Sequence, residues 1–216
     1  MATPLTPLVI ASSNAGKIRE FAALLADLPL EIRPQPEGLE VEETGTTFAA
    51  NARLKAEAVA HATGCWALAD DSGLAVDALG GAPGVFSARY AASDPERIAR
   101  LLRELEAATA AVGKAPEAGN EAREQVIAER RARFTAALAV ADPSGQIRLE
   151  VEGHCPGVIL EAPRGAGGFG YDPIFLVPEL GQTFAEMDKA IKGRIGHRGR
   201  AFALLEPGLR ELLGAG

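Results

Sequence analysis

Residues 66–90, WALADDSGLAVDALGGAPGVFSARY, constrain this chain more than any other stretch. An apolar run, Trp66 to Ala69, ends in two adjacent carboxylates, Asp70 and Asp71. Ser72 and Gly73 follow, and then a Gly/Pro-rich turn at 80–84. A short apolar run bounded by turn signals reads as a buried strand. Carboxylates where such a strand gives way to a loop are costly unless something pairs them. Two readings are open. One is a divalent cation: ligation by carboxylate oxygens suits Mg²⁺, which in turn suits a phosphate-bearing substrate. The other is that Asp70 and Asp71 only form a turn and cap a helix.

The rest of the chain supplies the context. Residues 8–11 read as a first strand, and Ile18, Phe21, Leu24, Leu25 and Leu28 repeat with helical spacing. Ser12, Ser13, Asn14, Ala15, Gly16 and Lys17 therefore sit where strand becomes helix. Backbone N–H groups, small residues and a lysine at that position make a phosphate site. An ordinary helix cap by Ser13 or Asn14 is the competing reading. The segment lacks the full GxxxxGK[ST] pattern, so it is not a Walker loop. Residues 30–33 suggest a second strand. Thr47 is placed to cap a helix running to about Ala62. Lys55 lies in that helix and reads by default as a solvated lysine. Glu43, by default a surface acid, gains interest as a partner of Asp71 at one cation.

Ser93 with Glu96 fits a capping box, and Asp94 with Pro95 fits a cap followed by a proline at the first helical position. The segment 109–120 reads as an exposed loop, with a charged helical turn resuming near 121–130. Residues 133–141 and 146–154 form an antiparallel hairpin about the turn at 142–145, and 158–160 suggests one more short strand. In 164–173, Gly165, Gly167, Gly168 and Gly170 imply tight backbone. Phe169 and Tyr171 either offer faces to a planar base or reach back into the core. Lys189, Lys192, Arg194, His197, Arg198 and Arg200 crowd into twelve residues just before an apolar helical stretch at 201–213, where they would meet an anion or form a solvated face.

The bulk properties exclude several classes. The chain has 216 residues, enough for one domain or a domain with a lobe. A net charge of -7 argues against a generic nucleic-acid backbone binder. The two cysteines, Cys65 and Cys155, form no CxxC pair, and the three histidines form no metal motif. No apolar run approaches the ~20 residues that a membrane span needs. The first residues lack the pattern of a secretory signal, so a cytoplasmic setting is expected.

Five segments together carry a resemblance. They are SSNAGK at 12–17, ETGTTF with NARLKA at 43–56, ADDSGLAVDALGGAPGVFSARYA at 69–91, GGFGYDPIF at 167–175 and GHRGRA at 196–201. In this order the chain resembles the inosine/xanthosine triphosphate pyrophosphatases, house-cleaning enzymes of the nucleotide pool. The resemblance implies an α/β fold: a long twisted mixed sheet with flanking helices, and two lobes around a central cleft within a single domain spanning 1–216. It implies a homodimer that converts dITP, ITP and XTP to the monophosphate and pyrophosphate with Mg²⁺. Ser12, Ser13, Asn14, Ala15, Gly16 and Lys17 would hold the phosphates, and Lys55 would reach them. Glu43 and Asp71 would hold the cation, with Asp71 also the general base. Ser72 would touch substrate, Phe169, Gly170, Tyr171 and Asp172 would frame the base, and Lys192, His197 and Arg198 would complete the site.

Three positions depart from the family pattern. Ala50 stands where a glutamate is usual, which leaves Glu43, Asp70 and Asp71 as the carboxylates for the ion. Gly196 replaces a serine, and Ile191 replaces an acid. Two other functions are compatible with the sequence: a regulatory module that grips a nucleotide without cleaving it, and hydrolysis of another odd nucleotide such as a pyrimidine triphosphate.

Overall fold

The computed structural model describes residues 5–110 and 129–213. The strands are β1 (Thr6–Ala11), β2 (Leu30–Pro34), β3 (Trp66–Val76), β4 (Arg131–Ala141), β5 (Ile147–Ile159), β6 (Phe175–Val177) and β7 (Gln182–Thr183). The helices that matter here are α1 (Ala15–Leu24), α2 (Phe48–Thr63), α3 (Asp94–Ala110), α4 (Lys189–Ile195) and α5 (His197–Leu212). The strands form a seven-stranded sheet in the order β2-β1-β3-β4-β5-β6-β7. It is mixed: β1 pairs in parallel with β2 and with β3, whereas β6 pairs antiparallel with β5 and β7. The α/β class and the mixed sheet with flanking helices expected from the sequence are therefore present.

By contacts the chain divides into two units. One comprises 1–72, 136–154 and 193–216; the other comprises 73–135 and 155–192. Strand alternation organises the first. Leu8, Ile10, Leu68, Leu138 and Val140 share a core with Phe21 and Leu25 and with Phe202, Leu205 and Leu209 of α5. Val9, Ala11, Ala67, Ala69, Ala137, Ala139 and Ala141 share a second core with Ala52, Ala56, Val59 and Ala60 of α2. Successive strand residues point to opposite faces, so α1 and α5 cover one face and α2 the other. The two faces differ in side-chain size. Large aliphatic and aromatic groups fill the first, each worth about 1.5–3 kcal/mol when buried. The second is built from alanines, and Ala52, Ala56 and Ala60, spaced by four, let α2 lie close to the sheet.

In the second unit, Phe134, Phe175 and Phe184 pack as an aromatic cluster, with centroids 4.7 to 5.6 Å apart. The capping box is the one that forms at α3: Ser93 N–H donates to Glu96 Oε2 at 3.0 Å and Glu96 N–H to Ser93 Oγ at 3.4 Å. Asp94 is left to pair with Arg97 at 2.7 Å.

Several boundaries differ from the sequence expectation. β3 does not end at Asp70 and Asp71 but runs through them to Val76. The apolar alternation resumes at Leu74 and Val76, and both acids are paired, so a buried strand tolerates them. Residues 158–160 are not a separate strand, because β5 continues through Pro156 and Gly157 to Ile159. The last helix begins at His197, four residues before the expected 201, and α4 precedes it. Thr109 is helical; the remainder of the expected loop at 109–120 and the charged turn at 121–130 lie outside the described residues, except for 129–130 and Ala110.

Candidate active site

The nominated side chains fall into two groups, one in each unit. The larger group grows from the end of β1. Ala11 pairs with Ala69, so the segment leaving β1 starts beside Asp70. Asn14 caps α1: its Oδ1 accepts from Gly16 N–H at 2.8 Å and Lys17 N–H at 3.1 Å, while Asn14 N–H donates to Ser12 Oγ at 3.1 Å. The ordinary cap is thus real. Ser13, Asn14 and Ala15 remain exposed, whereas Ser12, Gly16 and Lys17 are half-buried.

Beyond the cap, the Lys17 ammonium turns inward, with Nζ 2.7 Å from Asp70 Oδ2. Arg198, in the first turn of α5, is buried, as is Asp70. Its Nε lies 3.4 Å from Asp70 Oδ2, and it donates to Glu20 Oε2 at 2.8 Å and to Ser72 Oγ at 2.6 Å. Ser72 in turn donates to Asp70 Oδ2 at 3.1 Å. Burial pushes the Asp70 carboxyl up, but Lys17 and Arg198 more than offset this and hold it well below the usual carboxylate range. Burial, together with the like charges of Arg198 and Lys55, keeps the Lys17 ammonium below its ordinary value despite Asp70.

Asp71 faces the other way, onto α2. Lys55 Nζ lies 3.1 Å from Asp71 Oδ1 and 2.7 Å from Glu43 Oε1. Asn51 Nδ2 donates to Asp71 Oδ2 at 3.1 Å. Burial raises the Asp71 carboxyl above its normal value, with Glu43 adding to the effect and Lys55 and Lys17 opposing it. Burial works against the Lys55 ammonium, yet Asp71 and Glu43 raise its pKa overall. Lys55 is therefore not the solvated lysine of the default reading; its side chain is only 13% exposed. Glu43 likewise is tied into the site.

The ligands that Asp71 and Glu43 themselves offer, on either side of the Lys55 ammonium, are carboxylate oxygens. That chemistry fits Mg²⁺, which is usually held through one or two carboxylates plus substrate phosphates. Among the described residues, no group of three or more His, Cys, Asp or Glu side chains is arranged to hold a metal ion. Asp70 does not join Glu43 and Asp71 as a third carboxylate, because strand alternation carries it to the face occupied by Lys17 and Arg198. Ala50 contributes no acid.

The second group lies in the other unit. Asp172 Oδ2 accepts from Phe169 N–H at 2.9 Å and from Lys192 Nζ at 2.6 Å. Lys192 Nζ sits 5.0 Å from the Phe169 ring centroid and 5.4 Å from that of Phe184. Gly170 N–H donates to Asp94 Oδ2 at 2.7 Å. The two aromatics resolve differently: Tyr171 is buried, its hydroxyl donating to the Ser87 carbonyl at 3.1 Å, whereas Phe169 stays half-buried. His197, which belongs to the first unit and not to this group, is buried at the start of α5. Gly196 is the N-cap of that helix and makes no side-chain cap bond, a direct effect of having glycine in place of serine.

Sequence reasoning missed Asn51 and Glu20 as members of the first group. A fully buried asparagine one turn before Lys55 signals such a role, but only after α2 is known to lie against β3.

The Ham1 family model matches residues 8–207. The chain is 60% identical over 206 residues to a dITP/XTP pyrophosphatase of Synechococcus sp., covering 95% of this chain and 91% of that one. It is 59% identical over 208 residues to a dITP/XTP pyrophosphatase of Parasynechococcus marenigrum, covering 96% and 97%. Among solved structures, a HAM1 protein from Coxiella burnetii matches with a TM-score of 0.81 at 42% identity, covering 96% of this chain and 100% of that one. The Staphylococcus aureus Ham1 protein matches with a TM-score of 0.77 at 38% identity, covering 96% and 100%. A match that runs from the first strand into the last helix, at this identity, leaves one conclusion: the chain belongs to the Ham1 family.

Proposed function

We propose that this chain is a dITP/XTP pyrophosphatase, hydrolysing dITP, ITP and XTP to the nucleoside monophosphate and pyrophosphate. The observation that carries the reading is the pair of neighbouring carboxylates, each matched by its own half-buried lysine. Names carried by relatives about 60% identical over nearly the whole chain support the same activity. No helix among the described residues is long and apolar enough to cross a membrane. A single-domain enzyme with two lobes and a cleft, acting as a cytoplasmic homodimer without nucleic-acid or membrane partners, belongs to this proposal.

The triphosphate is assigned to the first group of residues and the base to the second. Lys17 and Lys55 neutralise phosphate charge, and the segment from Ser12 to Lys17 offers small side chains and backbone N–H groups. Ser72 and Arg198 complete the polar wall around Asp70. Glu43 and Asp71 would hold Mg²⁺, whose chemistry when bound is to offset phosphate charge and acidify water. Asp71 accepts the proton of the attacking water. Burial raises its pKa, which makes it a stronger base than an ordinary carboxylate. Most of the acceleration comes from positioning and charge complementarity, as in phosphoryl transfer generally.

Phe169 offers its ring to the purine, and Asp172 with Lys192 supplies polar partners for the base edge. A 6-oxo group is an acceptor where adenine has a donor, and a buried donor left unpaired costs about 1–3 kcal/mol. His197, at the start of α5, is assigned to the nucleotide as well. Pyrophosphate release from ITP, dITP, XTP, GTP, ATP and a pyrimidine triphosphate, each with and without Mg²⁺, tests the proposal. The expected outcome is Mg²⁺-dependent release favouring the first three. Nucleotide binding without release would instead identify a regulatory module.

A further inference from the structure

Asn51 is a buried polar side chain beside Asp71 that has no part in the proposed reaction. Asn51 lies in the first turns of α2 with 0% exposure. Its carboxamide is committed at both ends: Nδ2 donates to Asp71 Oδ2 at 3.1 Å and Oδ1 accepts from Gly45 N–H at 2.8 Å. The second bond fixes the orientation of the amide, because a backbone N–H can only face the oxygen, which turns the NH₂ group toward Asp71. Gly45 lies two residues after Glu43. A side chain on Gly45 would place Cβ 2.6 Å from Asn51 Oδ1 and 2.7 Å from Ala50 Cβ, so glycine is required for this approach. Lys55, four residues along the same helix face, joins the same two segments through Glu43 and Asp71. The alanines of α2 hold both side chains close enough to reach the strand.

We propose that Asn51 is a positioning residue. It fixes the plane of the Asp71 carboxylate and ties it to the segment bearing Glu43, so that the two acids are preset for their shared task. A neutral amide suits this role because it directs one carboxylate oxygen without adding charge that competes with a cation. The inference rests on the pyrophosphatase reading and on Asp71 as its base. It is separable from that reading because wild-type turnover and its loss in Asp71→Asn test the reading alone.

The test uses Asn51→Ala and the near-isosteric Asn51→Asp, with circular dichroism and thermal midpoints to establish folding. With ITP and saturating Mg²⁺, kcat falls at least ~30-fold while KM stays within about 3-fold, the pattern of an interaction realised in the transition state. Packing alone would leave kcat per folded molecule unchanged. A folded variant of either kind that keeps kcat within about 3-fold of wild type overturns the proposal. A second readout needs no turnover and neither of the Asn51 variants. In Mg²⁺-free wild-type protein, the Asn51 side-chain NH₂ protons exchange slowly with solvent by NMR, and in Asp71→Ala they exchange at least ~10-fold faster, as loss of a buried hydrogen bond requires. Equal exchange in the two proteins overturns the proposal even if the Asn51 variants do not fold.

Discussion

Asp70 and Asp71 are neighbours in β3 yet serve opposite faces of the sheet: Asp70 Oδ2 lies 2.7 Å from Lys17 Nζ, and Asp71 Oδ1 lies 3.1 Å from Lys55 Nζ. The period of a strand makes this unavoidable. One acid is gripped by two cations from α1 and α5 and is stabilised in its charged form. The other meets one lysine, a neutral amide and a second acid, and burial works against its charge. The same residue type, one position apart, thus acquires different chemistry.

Asp70→Asn removes the counter-charge of the buried Arg198 and the half-buried Lys17. Breaking such a pair from one side costs about 3 kcal/mol, so the thermal midpoint at pH 7 falls. The folded pKa of Asp70 lies below its unfolded value of about 3.9. Its stabilisation is complete above that value and is lost as pH falls toward the folded pKa. The gap between wild type and variant therefore narrows below about pH 4. Thermal melts between pH 2 and pH 7 measure this; a gap that widens in acid contradicts it.

Asp71→Asn moves stability in the opposite direction. The folded pKa of Asp71 lies above its unfolded value. Ionisation at neutral pH therefore costs the fold, and an amide removes that cost. The midpoint at pH 7 stays level or rises, and any gain shrinks as pH falls through the raised folded pKa and is gone once pH is below the unfolded value of about 3.9. A functional site that holds a destabilised charge commonly behaves in this way. A fall of more than about 1 kcal/mol at pH 7, the size of an ordinary destabilising substitution, rules the account out.

How far the sequence reveals these facts depends on the range of the interaction. Thr47 and Gly64 bracket α2 because caps are local: Thr47 Oγ1 accepts from Ala50 N–H, and Gly64 takes the left-handed conformation at φ 62°. The Ser93–Glu96 box is local in the same sense. The continuation of β3 past Asp70 is not local. It depends on Lys17, 53 residues away, and on Arg198, 128 residues away. Lys55 looked solvated because its two acids come from another segment and another strand. Phe169 and Tyr171 could not be told apart before the Ser87 carbonyl was in place to receive one of them. The ordered motifs name Lys17, Glu43, Lys55, Ser72 and Arg198, which the structure brings to the two aspartates. The division of labour between the two aspartates required the alternation to be traced through them.

Gly199→Ala tests the seating of the α5 start. An added Cβ would lie 1.7 Å from the Gly193 carbonyl oxygen, so the backbone must move. Overpacking of this kind costs about 1–3 kcal/mol, read as a lower thermal midpoint. An unchanged midpoint would show that the turn between α4 and α5 yields to the added methyl group without cost.

Gly168→Ala probes the base-framing group. Gly168 has φ +74°, and a Cβ there would stand 2.0 Å from Asp172 Oδ2. Asp172 must then shift from Phe169 N–H and Lys192. Steady-state kinetics with ITP should show KM raised about 10-fold with kcat changed less, the signature of lost ground-state binding. Loss of kcat alone would move Asp172 from binding to chemistry.

The most direct measurement is kcat for pyrophosphate release from ITP by Asp71→Asn, at saturating nucleotide and Mg²⁺, on protein shown to be folded. The account predicts a fall of at least ~100-fold, the scale of a lost general base, in a variant as stable as wild type. Turnover within a few-fold of wild type would contradict it and remove Asp71 from the reaction.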